Sequence, residues 1–209
     1  MFSIKDNNTT ANLDIDVPEK GLTLTDLINK LNLEINKKSR VITSLKLNGE
    51  SCDLINIDQS ILIKKTDSIE VCSDSPVIIA KRSLEDALNQ LDDFRDLIDL
   101  ITSNLIKGDK DTSFKKFTEF LEGFRGVIQL LQTVENIFNL NYSEIRLENK
   151  SLKEFSEGLF DILTQIKEAM LNDDLVSLTD LLEYEIKDLF AHDLKKALQI
   201  LLQILSDDK

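Results

Sequence analysis

SIEVCSDSPVIIAKRSLEDALNQLDDF, residues 68–94, contains a change of apolar rhythm that decides the fold. Up to Val71 the apolar positions alternate with polar ones, as one face of a ribbon requires, whereas Leu84, Leu88, Leu91 and Phe94 recur at intervals of three and four, as one side of a cylinder requires. The switch falls near residue 80. Upstream, period-two spacing at Phe2 and Ile4, at Leu13, Ile15 and Val17, at Val41, Ile42, Leu45 and Leu47, and at Ile69 and Val71 predicts short strands. Between the second and third lies TLTDLINKLNLEINKKS, residues 23–39. There Leu24, Leu27, Ile28, Leu31 and Ile35 fall at helical spacing behind Thr25 as N-cap. Asn48-Gly49 follows the third strand, and because both central residues of a type I′ turn need positive φ, the pair predicts a tight hairpin.

Downstream, four helices are expected. The first opens at Ser83 and ends near Gly108. The second runs from Ser113 to Phe138. The third starts at the capping box Ser151-x-x-Glu154 and buries Leu152, Phe155, Leu159, Leu163, Ile166 and Met170. The fourth begins around Asp174 and carries Leu178, Leu182, Ile186, Leu189, Leu194 and Leu201. Long helices with short connections imply an antiparallel up-and-down arrangement. The expected fold class is α+β: a small sheet domain over 1–74, an extended connector over 75–82 around Pro76, and a four-helix bundle over 83–209.

The N-terminal order of two strands, a helix, two strands and a final strand, with the NGE hairpin and the late TDSIEV segment, resembles the β-grasp or ubiquitin-like fold. In that family, carriers and modifiers act through a free C-terminal Gly-Gly. Here the last strand runs into Ser73-Asp74-Ser75-Pro76, so the resemblance implies a sheet used for contacts and no conjugation chemistry. The segment LTDLLEYEI, residues 178–186, is similar to stretches of small uncharacterised bacterial proteins, which implies no activity.

The chain has 209 residues, 25 Lys and Arg against 38 Asp and Glu, and a net charge of −13. Phosphate backbones and anionic lipid surfaces would repel it, so neither nucleic acid nor a membrane is expected as a partner. Residues 1–74 carry nine basic and twelve acidic side chains and the remainder 16 and 26, so the helices hold most of the excess. Met1-Phe2-Ser3-Ile4-Lys5 has no apolar leader, and Cys52 and Cys72 read as reduced core thiols; a cytoplasmic location is expected. With six Gly and two Pro, the composition favours packed helices over loop-rich architectures.

Chemistry is sparse. A di-iron carboxylate bundle needs two Glu-x-x-His pairs, yet the chain has one histidine, His192, with Leu189 three positions before it. Cys52, Cys72 and His192 lack zinc-ligand spacing. His192 reads as solvated or capping. Asp180, Glu183 and Glu185 read as a solvated acidic face rather than an acid and base pair. No cofactor, metal or catalytic residue is expected.

Apolar surplus is the stronger signal. Phe114, Phe117, Phe120 and Phe124 crowd one helix over an arc wider than one seam needs, so that helix is either central or lines a groove for a partner. At the C-terminal end Ala197, Leu201 and Ile204 form one stripe while Leu198, Leu202 and Leu205 form a second, which must cover another part of the chain, a second copy or another protein. The glycines Gly123 and Gly126 inside the second helix cost about 1 kcal/mol each relative to Ala and imply close approach of a neighbour. The expected function is that of a non-enzymatic interaction protein, an adaptor, chaperone-like protein or regulatory subunit. Leu198, Leu202, Leu205, Phe117, Phe120 and Phe124 are the candidate partner-binding residues, and the partner is another protein or a second copy of the chain. A flagellar or secretion-type export chaperone is the alternative within that class. A small-ligand binder or enzyme with a site between the two domains is the alternative outside it.

Overall fold

A computed structural model describes residues 4–6, 9–11, 18, 21–54, 56–58 and 60–207. The chain is mixed α+β, with helices dominating, and it divides into two compact units, Met1–Ile79 and Ala80–Lys209. No helix among the described residues is long and apolar enough to cross a membrane.

In the first unit a five-stranded sheet has the order β2-β1-β7-β4-β5, formed by β1 (Ile4–Asp6), β2 (Thr9–Ala11), β4 (Val41–Leu47), β5 (Glu50–Ser51) and β7 (Ile69–Asp74). Strand β1 runs parallel to β7 and the other pairs are antiparallel. A separate pair joins β3 (Leu22–Thr23) to β6 (Leu62–Ile63). Helix α1 (Leu24–Asn36) buries Leu24, Leu27, Ile28, Leu31 and Ile35, which form a core with Leu45, Ile63, Ile69 and Val71. The expected strand at Leu13, Ile15 and Val17 lies outside the described residues, as does Phe2.

The Asn48-Gly49 turn has φ of 52° and 86°, and Leu47 faces Glu50 across it, as two left-handed residues in a two-residue hairpin dictate. The Asn48 side chain then fastens the hairpin to the loop before β7: its amide donates to the Asp67 carboxylate at 3.1 Å, and its oxygen accepts from the Ser68 N–H at 2.9 Å. The Lys64 N–H and the Asn48 amide, both donating to Asp67, hold that carboxyl below its usual range.

Three local expectations are corrected. The N-cap of α1 is Thr23, which accepts from the Asp26 N–H at 3.1 Å; Thr25 lies inside the first turn. Of the two cysteines expected in the core, Cys72 is exposed, while Cys52 is half-buried against the core's edge, its thiol pushed up by burial. Residues 76–82 are not an extended connector but the first turns of α2 (Pro76–Ile106). Ser75 supplies the cap, accepting from the Ile78 N–H at 3.3 Å, and Pro76 takes the first helical position, where a missing N–H costs nothing. This start outweighs the strand preference of Val77, Ile78 and Ile79.

In the second unit α2 is followed by α3 (Lys110–Phe138), a hairpin of β8 (Arg146–Leu147) and β9 (Lys150–Ser151), and α4 (Leu152–Leu171). Helix α4 opens with the full capping box of Ser151 and Glu154, whose carboxyl the Ser151 N–H and hydroxyl hold below its usual range. The chain then forms one helical run: α5 (Leu175–Asp180), a wide i→i+5 segment π1 (Leu181–Ile186), α6 (Lys187–Leu189), a second wide segment π2 (Phe190–Leu194) and α7 (Lys195–Asp207).

The wide turns follow from the apolar spacing. Leu178, Leu182, Ile186, Phe190, Leu194 and Leu198 are strictly four apart, and each is at most 1% exposed. At about 100° per residue, a regular α-helix would carry such a stripe about 40° further round at every step, about 200° over the five steps, and half of it would face water. Turns of i→i+5 type remove that drift. Ala197, Leu201 and Leu205 extend the buried face, so members of both expected stripes share one buried side, while Leu202 and Ile204 are half-buried at its edge.

Gly123 and Gly126 differ in kind. A Cβ on Gly123 would stand 2.5 Å from Cε1 of Phe94 on α2, while a Cβ on Gly126 meets nothing within 4 Å. Gly123→Ala is therefore expected to lower stability by about 1–2 kcal/mol through overpacking, and Gly126→Ala to raise it by up to about 1 kcal/mol through helix propensity. Urea denaturation of the two variants, read by circular dichroism, checks the opposite signs.

Candidate functional site

All six residues singled out as partner-binding lie in the second unit, and the structure buries five of them. Phe117, Phe120, Phe124, Leu198 and Leu205 are at most 2% exposed, and Leu202 is half-buried. The phenylalanines of α3 pack with Phe94 and Phe190 into one aromatic cluster, in which Phe120 lies 5.7–6.1 Å from Phe94, Phe117, Phe124 and Phe190. These residues are core, and the exposed apolar surface lies elsewhere.

Its most exposed side chains stand at or near one end of the second unit. The four most exposed large apolar side chains among the described residues are Ile106 (78%), Leu171 (75%), Val176 (73%) and Tyr184 (72%). Ile106 ends α2, Leu171 ends α4, Val176 stands in the first turn of α5, and Tyr184 lies on π1. Ile106 and Val176 line one hollow of about 240 Å³ together with Asp180. Asp180 is also on the wall of a groove of about 500 Å³ between α4 and the α5–π1 run, with Tyr184 and the carboxylates of Glu168, Asp174 and Glu185. No Lys, Arg or His is among the described residues lining either hollow.

Local rules set this corner. Asp173 turns the chain with φ of 52°, and Asp174 caps α5, accepting from the Ser177 N–H at 3.0 Å and its hydroxyl at 2.7 Å, which hold the Asp174 carboxyl below its usual range. Lys110, in the first turn of α3, pairs with Asp173 at 3.4 Å. The α2–α3 and α4–α5 turns are thereby tied at the same end.

Glu183 is not part of a solvated face. Buried Thr102 on α2 donates to its carboxylate at 2.7 Å, and Lys187 donates both to Glu183, at 3.2 Å, and to Asp99 of α2. The Asp99 carboxylate, and after it Glu183, raise the Lys187 ammonium above its ordinary range. A raised amine contributes stability that is complete below its unfolded value of 10.5 and is lost as pH rises through the folded value. Melting temperatures above pH 10.5 are expected to fall more steeply for the parent than for Lys187→Met, measured by thermal circular dichroism on both.

His192 is solvent-exposed beside Asp188 at 3.5 Å, in agreement with a solvated role. A further apolar trough between α3 and α4 holds half-exposed Phe160, but its rim mixes Arg125 and Lys153 with Glu135 and Glu157. The end corner is distinguished by combining a rim of one sign with the most exposed apolar side chains. Periodicity could not flag it, because Leu171 and Val176 continue an apolar rhythm in a place where the helix ends face water.

No curated protein and no solved structure matches the chain. A family model described as a domain of unknown function, DUF8042, matches residues 82–201, which takes in α2 from Arg82, the aromatic cluster and the whole end corner. More than half of the chain lies within that match, and the chain belongs to the DUF8042 family.

Proposed function

We propose that the chain is a non-enzymatic, cytoplasmic interaction protein, an adaptor or regulatory subunit, in which a β-grasp-type sheet unit accompanies an acidic antiparallel four-helix bundle. The strand order β2-β1-β7-β4-β5, with the first and last strands parallel at the centre and α1 between the two hairpins, supports the β-grasp reading. Three-residue turns at 107–109 and 172–174 support the bundle. The observation that carries the functional reading is the end corner, where the four most exposed large apolar side chains among the described residues stay 72–78% in water. Such side chains destabilise nothing if a partner covers them. Another protein is the partner.

The test is affinity capture from native lysate with the parent and with Ile106→Glu/Val176→Glu. Both positions are exposed, so the variant is expected to keep the parent's thermal transition within a few degrees. A co-purifying protein present with the parent and absent with the variant supports the reading. An identical set of captured proteins overturns it.

A further inference from the structure

We infer that the end corner takes a segment of another protein in which apolar side chains are flanked by lysines or arginines, an inference that rests on the interaction reading above. Ile106 and Val176 share a hollow whose one carboxylate is Asp180, and Asp180 also lines the adjoining groove where Tyr184 stands with Glu168, Asp174 and Glu185; no basic side chain lines either among the described residues. Two lysines stand at the α2–α3 turn: Lys110 is paired with Asp173, and Lys107, next to Ile106, is exposed and lines neither hollow.

Charge decides between the possible occupants. A second copy would bring the same carboxylates against themselves in a chain of net charge −13, and like charges facing each other across an interface cost several kcal/mol. Nucleic acid and anionic lipid fail for the same reason. A metal ion is not favoured either, because no group of three or more His, Cys, Asp or Glu among the described residues converges where an ion would sit. The carboxylates instead spread along a groove and a hollow that meet at Asp180, so they form an extended negative rim. A rim of one sign around an apolar centre fixes register and excludes acidic competitors, while the apolar side chains supply affinity.

Two fluorescent helix-forming peptides test this against the full chain by anisotropy. They share one apolar face of Leu at i, i+3, i+4 and i+7 and differ only in carrying Lys or Glu around it. The Lys peptide is expected to bind at least about tenfold tighter than its Glu twin, with a gap that narrows between ~50 mM and ~300 mM salt. Glu168→Lys/Glu185→Lys is expected to weaken the Lys peptide about tenfold, and Val176→Glu to weaken both peptides. Equal binding of the twins, binding of neither, or indifference to the double charge reversal overturns the inference. So does a concentration-dependent dimer of the parent that Val176→Glu abolishes, since the occupant is then a second copy. If lysate capture still depends on Ile106 and Val176 while the twin peptides bind equally, the partner chemistry is wrong and the interaction reading stands.

Discussion

Leu198→Glu is expected to unfold the helical unit or to leave it less stable by about 4 kcal/mol or more, whereas Leu202→Glu costs about 1 kcal/mol. Leu198 is fully buried as the last member of the stripe that starts at Leu178 and steps by four. A carboxylate there either stays charged among apolar neighbours or takes up a proton, and both cost more than a domain of this size can spare from a total of about 5–15 kcal/mol. One position on from Leu201, Leu202 is half-buried and lets a carboxylate reach water. Urea denaturation followed by circular dichroism measures both variants. A Leu198→Glu protein that loses less than about 1 kcal/mol would show that the stripe does not face the core and that the wide turns have been misplaced.

Phe120→Ala is expected to cost about 3–5 kcal/mol, and Phe120→Leu less than half of that. The ring is 0% exposed and touches four other phenylalanine rings: edge-on to Phe94 at an interplanar angle of 87°, stacked on Phe117 and Phe124, and tilted against Phe190. Removal leaves a cavity bounded by α2, α3 and π2, which rigid helices fill only in part. Leu restores most of the volume but none of the ring-to-ring geometry. Chemical denaturation of the three proteins at one temperature gives the ranking, and a Phe120→Ala loss under about 1.5 kcal/mol would place the ring outside the core.

These two residues show where the sequence was legible and where it was not. Asn48-Gly49 and Ser151-x-x-Glu154 are local rules, satisfied within four residues, and the structure obeys both. The helices of the second unit were visible because their apolar faces repeat many times. Pro76 and the β-branched residues after it misled, because Ser75 as a cap favours a helix that composition alone does not. Phe120 and Leu198 read as surplus apolar material for which the sequence leaves both a place inside the chain and a partner open, and the structure buries both. The strict spacing of four from Leu178 to Leu198 was the overlooked signal: it fits neither a regular α-helix nor a strand, and wide turns bring it onto one side. The end corner was hidden for the opposite reason. Met170 reads as core by rhythm, yet small Ala169 takes the inward position and Met170 is exposed, as is Leu171 after it.

A wide turn holds one more residue than an ordinary one. The last helix thus carries two built-in slack points, at Leu181–Ile186 and Phe190–Leu194, where a deletion of a single outward-facing residue would tighten the coil without rotating what comes after it. Elsewhere in the same rod, the loss of one residue would turn every later side chain by about 100° and expose Leu201 and Leu205.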